Sequence, residues 1–175
     1  MQQQPKLGRF EEIVLPHLDA AYNLARWLTR NDDDAQDVVQ DAFLRAFRFF
    51  ADFRGVNGRA WLLTIVRNTC YTWLQQHRAH DTETPFDEEI HTAESDISDP
   101  ATLVLKGDDS RLLRQSLEEL PVEFREVIAL RDLEGFSYKE IANIANIPVG
   151  TVMSRLARAR DRLKQSLCGR LGEKH

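Results

Sequence analysis

Three groups of residues carry side chains whose types and spacing could do chemistry. Asp33-Asp34-Ala-Gln-Asp37 has the DDxxD spacing that holds magnesium and diphosphate in helical prenyl-transfer enzymes. Phe53 lies in the run Asp52-Phe-Arg-Gly-Val-Asn-Gly58, flanked by Arg54 and Arg59. An aromatic ring and guanidinium groups beside a glycine-rich loop can stack on and hold unpaired bases. Arg155, Arg158, Arg160, Arg162 and Lys164 accumulate against a single acid, Asp161. Arginines near the start of such a helix can reach guanine edges, and those farther along meet phosphates. No catalytic apparatus accompanies these groups, because no histidine sits at the spacing of a triad or a metal site. His77 and His80, one helical turn apart, read as a fraying helix end.

The elements that must position these residues are all helical. Phe10, Val14, Leu18, Ala21, Tyr22, Ala25 and Leu28 repeat at three- and four-residue steps, which predicts one amphipathic helix of roughly 20 residues. A second helix is expected from about Asp33 to Phe50 and a third from about Arg59 to His77, with the glycine-containing turn between them. Beyond the middle of the chain, Leu112, Leu113, Leu117 and Leu120 form one pattern and Val122, Val127, Ile128 and Leu130 another. Pro121 lies between them, suited to a first helical position. Ser137 and Glu140 have the spacing of a capping box, so a short helix should start there and run through Ala145. After Asn146-Ile-Pro148-Val-Gly150 a last helix is expected from about Thr151 to Leu167. Short helix, tight turn and longer basic helix make a helix-turn-helix, the element that enters the major groove. No useful strand pattern occurs, and the fold class is all-α.

Charge is distributed in blocks. The 175-residue chain has net charge −5. Residues 1–80 carry net +1, residues 81–109 net −9 and residues 110–175 net +3. Apolar residues thin out in the acidic block, which should be a flexible linker because it cannot bury enough surface to offset its ordering entropy. The organisation is therefore two small helical domains, 1–80 and 110–175, joined by the acidic linker 81–109. The longest apolar runs, such as Ala60-Trp-Leu-Leu63, are far short of the roughly 20 residues of a membrane span. Cys70 and Cys168 have no cysteine or histidine nearby at ligand spacing, which argues against a disulfide framework or structural zinc and fits a reducing, cytoplasmic setting. No metal or cofactor is expected. The aspartates at 33, 34 and 37 are better explained as an acidic helix start, where carboxylates favour the positive end of the dipole. A prenyl-transfer enzyme would need more chain and a second carboxylate-rich motif. A polymerase-independent repressor or activator using the same helix-turn-helix is the other alternative.

In order along the chain, these pieces resemble a bacterial sigma factor of the extracytoplasmic-function (group 4) family. Asp34-Ala-Gln-Asp-Val-Val-Gln-Asp-Ala-Phe-Leu-Arg-Ala-Phe47 is similar to the family's helix for docking on core RNA polymerase. Phe53-Arg-Gly with Trp61-Leu-Leu-Thr-Ile-Val-Arg-Asn68 is similar to its segment that opens and reads the −10 element. Leu120-Pro-Val-Glu-Phe-Arg-Glu-Val, Gly135-Phe-Ser-Tyr-Lys-Glu-Ile-Ala142 and Ile147-Pro-Val-Gly-Thr-Val-Met-Ser-Arg-Leu-Ala-Arg-Ala-Arg160 are similar to its −35-reading domain. The resemblance implies that Asp37, Gln40, Asp41, Leu44 and Arg45 face the polymerase. It implies that Phe53, Arg54, Asn57, Arg59 and Asn68 receive −10 DNA, and that Thr151, Met153, Ser154, Arg155, Ala157 and Arg158 read −35 DNA. The acidic linker would thread positively charged channels of the polymerase. The implied protein is not an enzyme. It is a cytoplasmic specificity factor, with core RNA polymerase and promoter DNA as partners and no small-molecule substrate. An anti-sigma factor, often membrane-bound in the family, would control it in trans, as expected of a sequence that reaches His175 without a sensor module. Two departures bear on specificity: Met153 stands where relatives are often basic, and Ala157 where they are often larger. A third is the single arginine in Leu74-Gln-Gln-His-Arg-Ala-His80, where the family often has a dense basic run.

Overall fold

The computed structural model describes residues 3–55, 57–77 and 108–172. The acidic block 81–109 lies outside the described residues except for Asp108 and Asp109, which open a helix. The chain divides into two compact helical units.

The first unit corrects the expectation of one long opening helix. Helix α1 (Gln3–Val14) gives way to a 3-10 turn over Leu15–His17 before α2 (Leu18–Thr29) begins. Pro16 is the cause, because it has no N–H to donate and its ring collides with the carbonyl four residues earlier. His17 leaves the helical region at φ −106°, ψ 12°. The stripe survives the break in part. Phe10, Val14, Ala21, Leu24, Ala25 and Leu28 are buried, whereas Leu18, just past the turn, is 42 % exposed.

Helix α3 (Asp32–Phe49) starts where the composition placed it. Asn31 caps it, its side-chain oxygen accepting from the Asp34 N–H at 3.0 Å, with Asp32, Asp33 and Asp34 in the first turn. A 3-10 turn over Phe50–Asp52 then leads towards α4 (Gly58–His77). Helices α2, α3 and α4 pack on one another through Leu24, Leu28, Val38, Ala42, Leu62 and Val66. An aromatic cluster closes one side of this core. Phe10 meets Phe47 and Phe50 edge-on at 5.3 and 5.4 Å, and Phe50 and Trp61 flank Phe53 at 6.0 and 4.9 Å.

The second unit contains α5 (Asp108–Glu118), α6 (Val122–Ile128), a π-helical turn (Ala129–Leu133), α7 (Tyr138–Ala145) and α8 (Val149–Gly172). Pro121 is the N-cap of α6 rather than its first residue, and its carbonyl accepts from the N–H groups of Phe124 and Arg125. Apolar burial follows the expected stripes through Leu117, Leu120, Val127, Leu130, Ile141, Val152, Leu156 and Leu163. Periodicity did not foresee the buried polar residues. Arg125 and Glu126 are 2 % and 0 % exposed, and the Arg125 guanidinium donates to the Leu120 carbonyl. At the far end of α8, Ser166 donates to Ser116 at 3.0 Å and Arg170 pairs with Glu119, fastening the helix to α5.

Candidate functional site

The candidate residues fall into three groups, two in the first unit and one in the second. On α3, Asp37, Gln40, Asp41, Leu44 and Arg45 fall at i, i+3, i+4, i+7 and i+8, so they share one face. Asp37, Gln40 and Asp41 are exposed, Leu44 is 67 % exposed and Arg45 is half-buried. Asp41 and Arg45 form an i,i+4 ion pair at 3.3 Å, worth only about 0.3–0.5 kcal/mol at such exposure. Leu44 has the largest fractional exposure among the exposed large apolar side chains of the described residues. Beside this face, a groove between α2 and α3 is lined by Leu18, Tyr22, Val39, Gln40 and Phe43. The surface is mixed, with charges at its edge and apolar side chains open to a partner.

The second surface is the turn between α3 and α4. Phe53 is half-buried, because Phe50 and Trp61 already pack against it. Its ring is therefore part of the aromatic cluster, a contact that sequence alone did not show. Gly55 takes φ +79°, a conformation that favours glycine, and Arg54 beside it is exposed. Asn57 is a helix cap: its side-chain oxygen accepts from the Ala60 N–H at 3.1 Å. Gly58 permits the close approach of α1, since a Cβ there would lie 2.6 Å from Ile13 Cγ2. Arg59 is half-buried and its charge acts on His17, whose pKa is lowered by burial and by that guanidinium. Phe53, Arg54, Asn57 and Arg59 thus lie within one turn and the first residues of α4. Asn68 is exposed but stands eleven residues beyond Asn57, about 16 Å along α4.

The third surface is the start of α8. The capping box of α7 is formed in both directions, Glu140 N–H to Ser137 Oγ and Ser137 N–H to Glu140 Oε1, each 3.1 Å. Asn146 takes the left-handed conformation, φ 56°, that turns the chain, and the Pro148 carbonyl accepts from Thr151 and Val152. Helix α8 therefore starts at Val149, two residues before the expected Thr151. Met153 and Ser154 are exposed, while Thr151, Arg155, Ala157 and Arg158 are half-buried. Ser154 donates to the Thr151 carbonyl at 3.2 Å.

The basic run divides in the structure. Arg160 turns inward and forms a forked pair with Asp132, Nη2 to Oδ1 at 2.7 Å. Burial works against its charge most strongly, yet hydrogen bonding and attraction to Asp132, with help from Tyr138, leave its pKa raised. Arg131 lies over the Tyr138 ring and donates to the Phe136 carbonyl at 2.8 Å. These residues brace α8 against the turn that precedes α7. Sequence reading counted Arg160 among the basic helix positions, and nothing in its local pattern signalled a partner 28 residues away. Arg162 lies over the Phe124 ring, and Arg155 and Arg158 also have partners within the chain. Among the described residues no group of carboxylates, histidines and cysteines could hold a metal ion, and Asp32 is paired with Arg26 at 2.6 Å.

Comparison with known proteins covers both units. Residues 13–80 match the Sigma-70 region 2 family and residues 110–163 the Sigma-70, region 4 family. The chain is 33 % identical to the RNA polymerase sigma-H factor of Pseudomonas aeruginosa, over 90 % of this chain and 86 % of that protein. It is 35 % identical to the ECF RNA polymerase sigma-E factor of Haemophilus influenzae, over 82 % of this chain and 79 % of that protein. Among solved structures it is similar to the sigma factor RpoE in complex with the anti-sigma factor NepR from Bartonella quintana. That match has TM-score 0.70 and 31 % identity, and covers 91 % of this chain and 96 % of that one. CnrH, in complex with the cytosolic domain of CnrY, matches at TM-score 0.63 and 28 % identity, over 91 % of this chain and 88 % of that one. With both signature regions present in order and relatives above 30 % identity matched over most of their length, the chain belongs to the ECF family of RNA polymerase sigma factors.

Proposed function

We propose a division of labour for this sigma factor, which binds core RNA polymerase and directs it to promoters. The α3 face of Asp37, Gln40, Asp41, Leu44 and Arg45 docks on the polymerase. Its support is that exposed Leu44 on this face stands beside the α2–α3 groove lined by Leu18, Tyr22, Val39 and Phe43, so the apolar surface there is more than one isolated side chain. The turn with Phe53, Arg54, Asn57 and Arg59 meets −10 DNA, with Asn68 contacting the strand farther along α4. Flipping a base out there costs a few kcal/mol of unstacking, offset by contacts in the receiving pocket. Helix α8 reads the −35 major groove through Thr151, Met153, Ser154, Arg155, Ala157 and Arg158. The observation that carries the reading is the complete helix-turn-helix: a doubly bonded capping box, a left-handed Asn146 and a basic second helix.

The domain limits 1–80 and 110–175, with the acidic segment between them as linker, belong to the same proposal, as does membership of group 4. The protein acts in the cytoplasm, and among the described residues no helix is long and apolar enough to cross a membrane. It supplies specificity and strand opening rather than catalysis, and the phosphoryl chemistry is the polymerase's. An anti-sigma factor, which in this reading can be membrane-bound, holds it inactive. The support is that the similar sigma factor RpoE was solved in complex with the anti-sigma factor NepR, and CnrH in complex with the cytosolic domain of CnrY.

In vitro transcription tests the reading. Purified protein, core polymerase and fragmented genomic DNA from its source are combined, and RNA 5′ ends are mapped. Sharp new ends that share −10 and −35 elements are expected. No new ends, with active core and folded protein, would shift the assignment to a DNA-binding regulator that works without polymerase.

A further inference from the structure

The solvent face of α8 is not uniformly polar. Val149 and Met153 are 41 % and 52 % exposed, and Ala157 continues the same row one turn later. At 100° per residue these three form one lengthwise strip, while Ser154 and Arg158, then Thr151 and Arg155, form polar strips beside it. The strip borders the core-facing side of Val152, Leu156, Ala159 and Leu163, with Val149 about 20° round the helix from Leu156, and Met153 lies farther out, more than half exposed. A methionine there can neither neutralise a phosphate nor make a strong hydrogen bond to a base edge. Its long, unbranched side chain projects from the first turns of the helix, the part of a recognition helix that meets base edges. Among major-groove base edges, the group that rewards apolar contact is the C5 methyl of thymine.

We infer that Met153, flanked by Val149 and Ala157, reads thymine methyl groups in the −35 element. Specificity is then split across the helix: hydrogen bonding on the Ser154–Arg158 side and apolar contact on the Met153 side. This rests on the assignment of α8 to −35 DNA, and the basic residues of the same helix supply the charge complementarity that brings duplex DNA to the strip.

The test uses holoenzyme and a promoter mapped as above. Each −35 thymine on either strand is replaced singly by deoxyuridine, which removes the methyl and leaves pairing and charge unchanged. At one or two thymines the wild-type holoenzyme should bind about 3- to 5-fold more weakly, the loss of roughly one buried methyl. Met153→Ala, at an exposed helical position where alanine is well tolerated, should erase that penalty at those thymines. Arg158→Ala should weaken binding while leaving the penalty in place. A deoxyuridine penalty unchanged in Met153→Ala, or no penalty at any thymine in the wild type, overturns the inference. Scrambling the entire −35 element is the control: if transcription is unaffected, the assignment of α8 fails and takes the methyl contact with it.

Discussion

In the proposed division of labour the two units have the same problem, presenting a helix face to a large partner, and they hold that helix with different interior chemistry. In the first unit, α3 is held from behind by apolar packing: Val38, Ala42 and Ala46 face the core, and Phe50 just beyond the helix sits in the aromatic cluster. In the second, α8 is held by polar devices as well as by its leucines. Arg160 pairs with Asp132, Arg125 caps carbonyls from inside the unit, and Ser166 bonds Ser116. Apolar packing is non-directional, so it tolerates small displacements of the presented face. Forked, partly buried ion pairs have fixed geometry. The difference suits the proposed tasks: a face that docks on polymerase can be broad, whereas a helix that reads bases must hold its side chains in register with the groove.

The largest expected effect breaks the apolar side of the comparison. Phe50 is 6 % exposed and touches Phe10, Phe53 and Trp61. Phe50→Ala should cost about 3–5 kcal/mol by lost transfer free energy and residual cavity. Urea unfolding followed by circular dichroism should show the loss, while an isolated 110–175 fragment, if it folds, gives the unaffected reference. A cost below about 1 kcal/mol would mean that the cluster is loosely packed.

Next comes the polar side. Asp132→Ala leaves Arg160, whose side chain is only 16 % exposed, without its carboxylate. The expected cost is about 2–3 kcal/mol, below the value for a fully buried pair because solvent retains some access. Arg160→Met alone strands Asp132 and should cost a similar amount. The double variant Asp132→Ala/Arg160→Met should be clearly more stable than the two single costs predict when added. Strict additivity would show that the pair does not brace α8.

The functional contrast is smaller in energy and sharper in logic. Arg158→Ala should weaken −35-dependent transcription by about 1–3 kcal/mol equivalent if it contacts a base edge, with core affinity unchanged. Asp41→Ala should weaken the polymerase complex and leave the −35 preference intact. Fluorescence titration with core polymerase and transcription from promoters with and without the −35 element separate the two. Equal loss in both assays for either variant would mean that the faces are misassigned.

What was legible in the sequence divides along the same line. Apolar stripes marked α3 and α4 to within a residue at each end, because burial imposes a helical period, whereas α8, expected over 151–167, runs from Val149 to Gly172. The capping box at Ser137 and Glu140 was legible because both partners are three residues apart. Pro16 was visible as a residue, yet its effect was overridden by a stripe that continues on both sides of it. Long-range polar pairs were invisible: Arg160 and Asp132 lie 28 positions apart, and a single sequence gives no sign that two charges meet. For the same reason Phe53 read as a free ring, although two cluster aromatics already pack against it.

Ser137→Ala tests a local device at about 1 kcal/mol. It removes one of the two capping bonds of α7, so the second unit should melt slightly earlier. Because α7 supports α8, −35 binding should fall modestly and recover in Ser137→Thr, which restores the hydroxyl. Full loss of binding would assign Ser137 a direct contact with DNA instead.

The smallest effect is a pH dependence confined to the first unit. His17 sits in the turn that Pro16 imposes, and burial, followed by the Arg59 charge, lowers its pKa from 6.5. The unfolded chain therefore takes up the proton before the folded one does, so folding works against protonation. Stability from this site is fully present above about pH 6.5 and declines as pH falls through the lowered folded value. Carboxylates titrate lower, near pH 4, which leaves a window in which histidine dominates. Between about pH 7.5 and 5.5, the urea midpoint of the first unit should fall more in the wild type than in His17→Gln, which cannot titrate. Arg59→Gln should reduce the fall without abolishing it, since burial is the larger cause. If Arg59→Gln flattened the dependence as fully as His17→Gln, the guanidinium rather than burial would dominate at this junction between the opening turn and the start of α4.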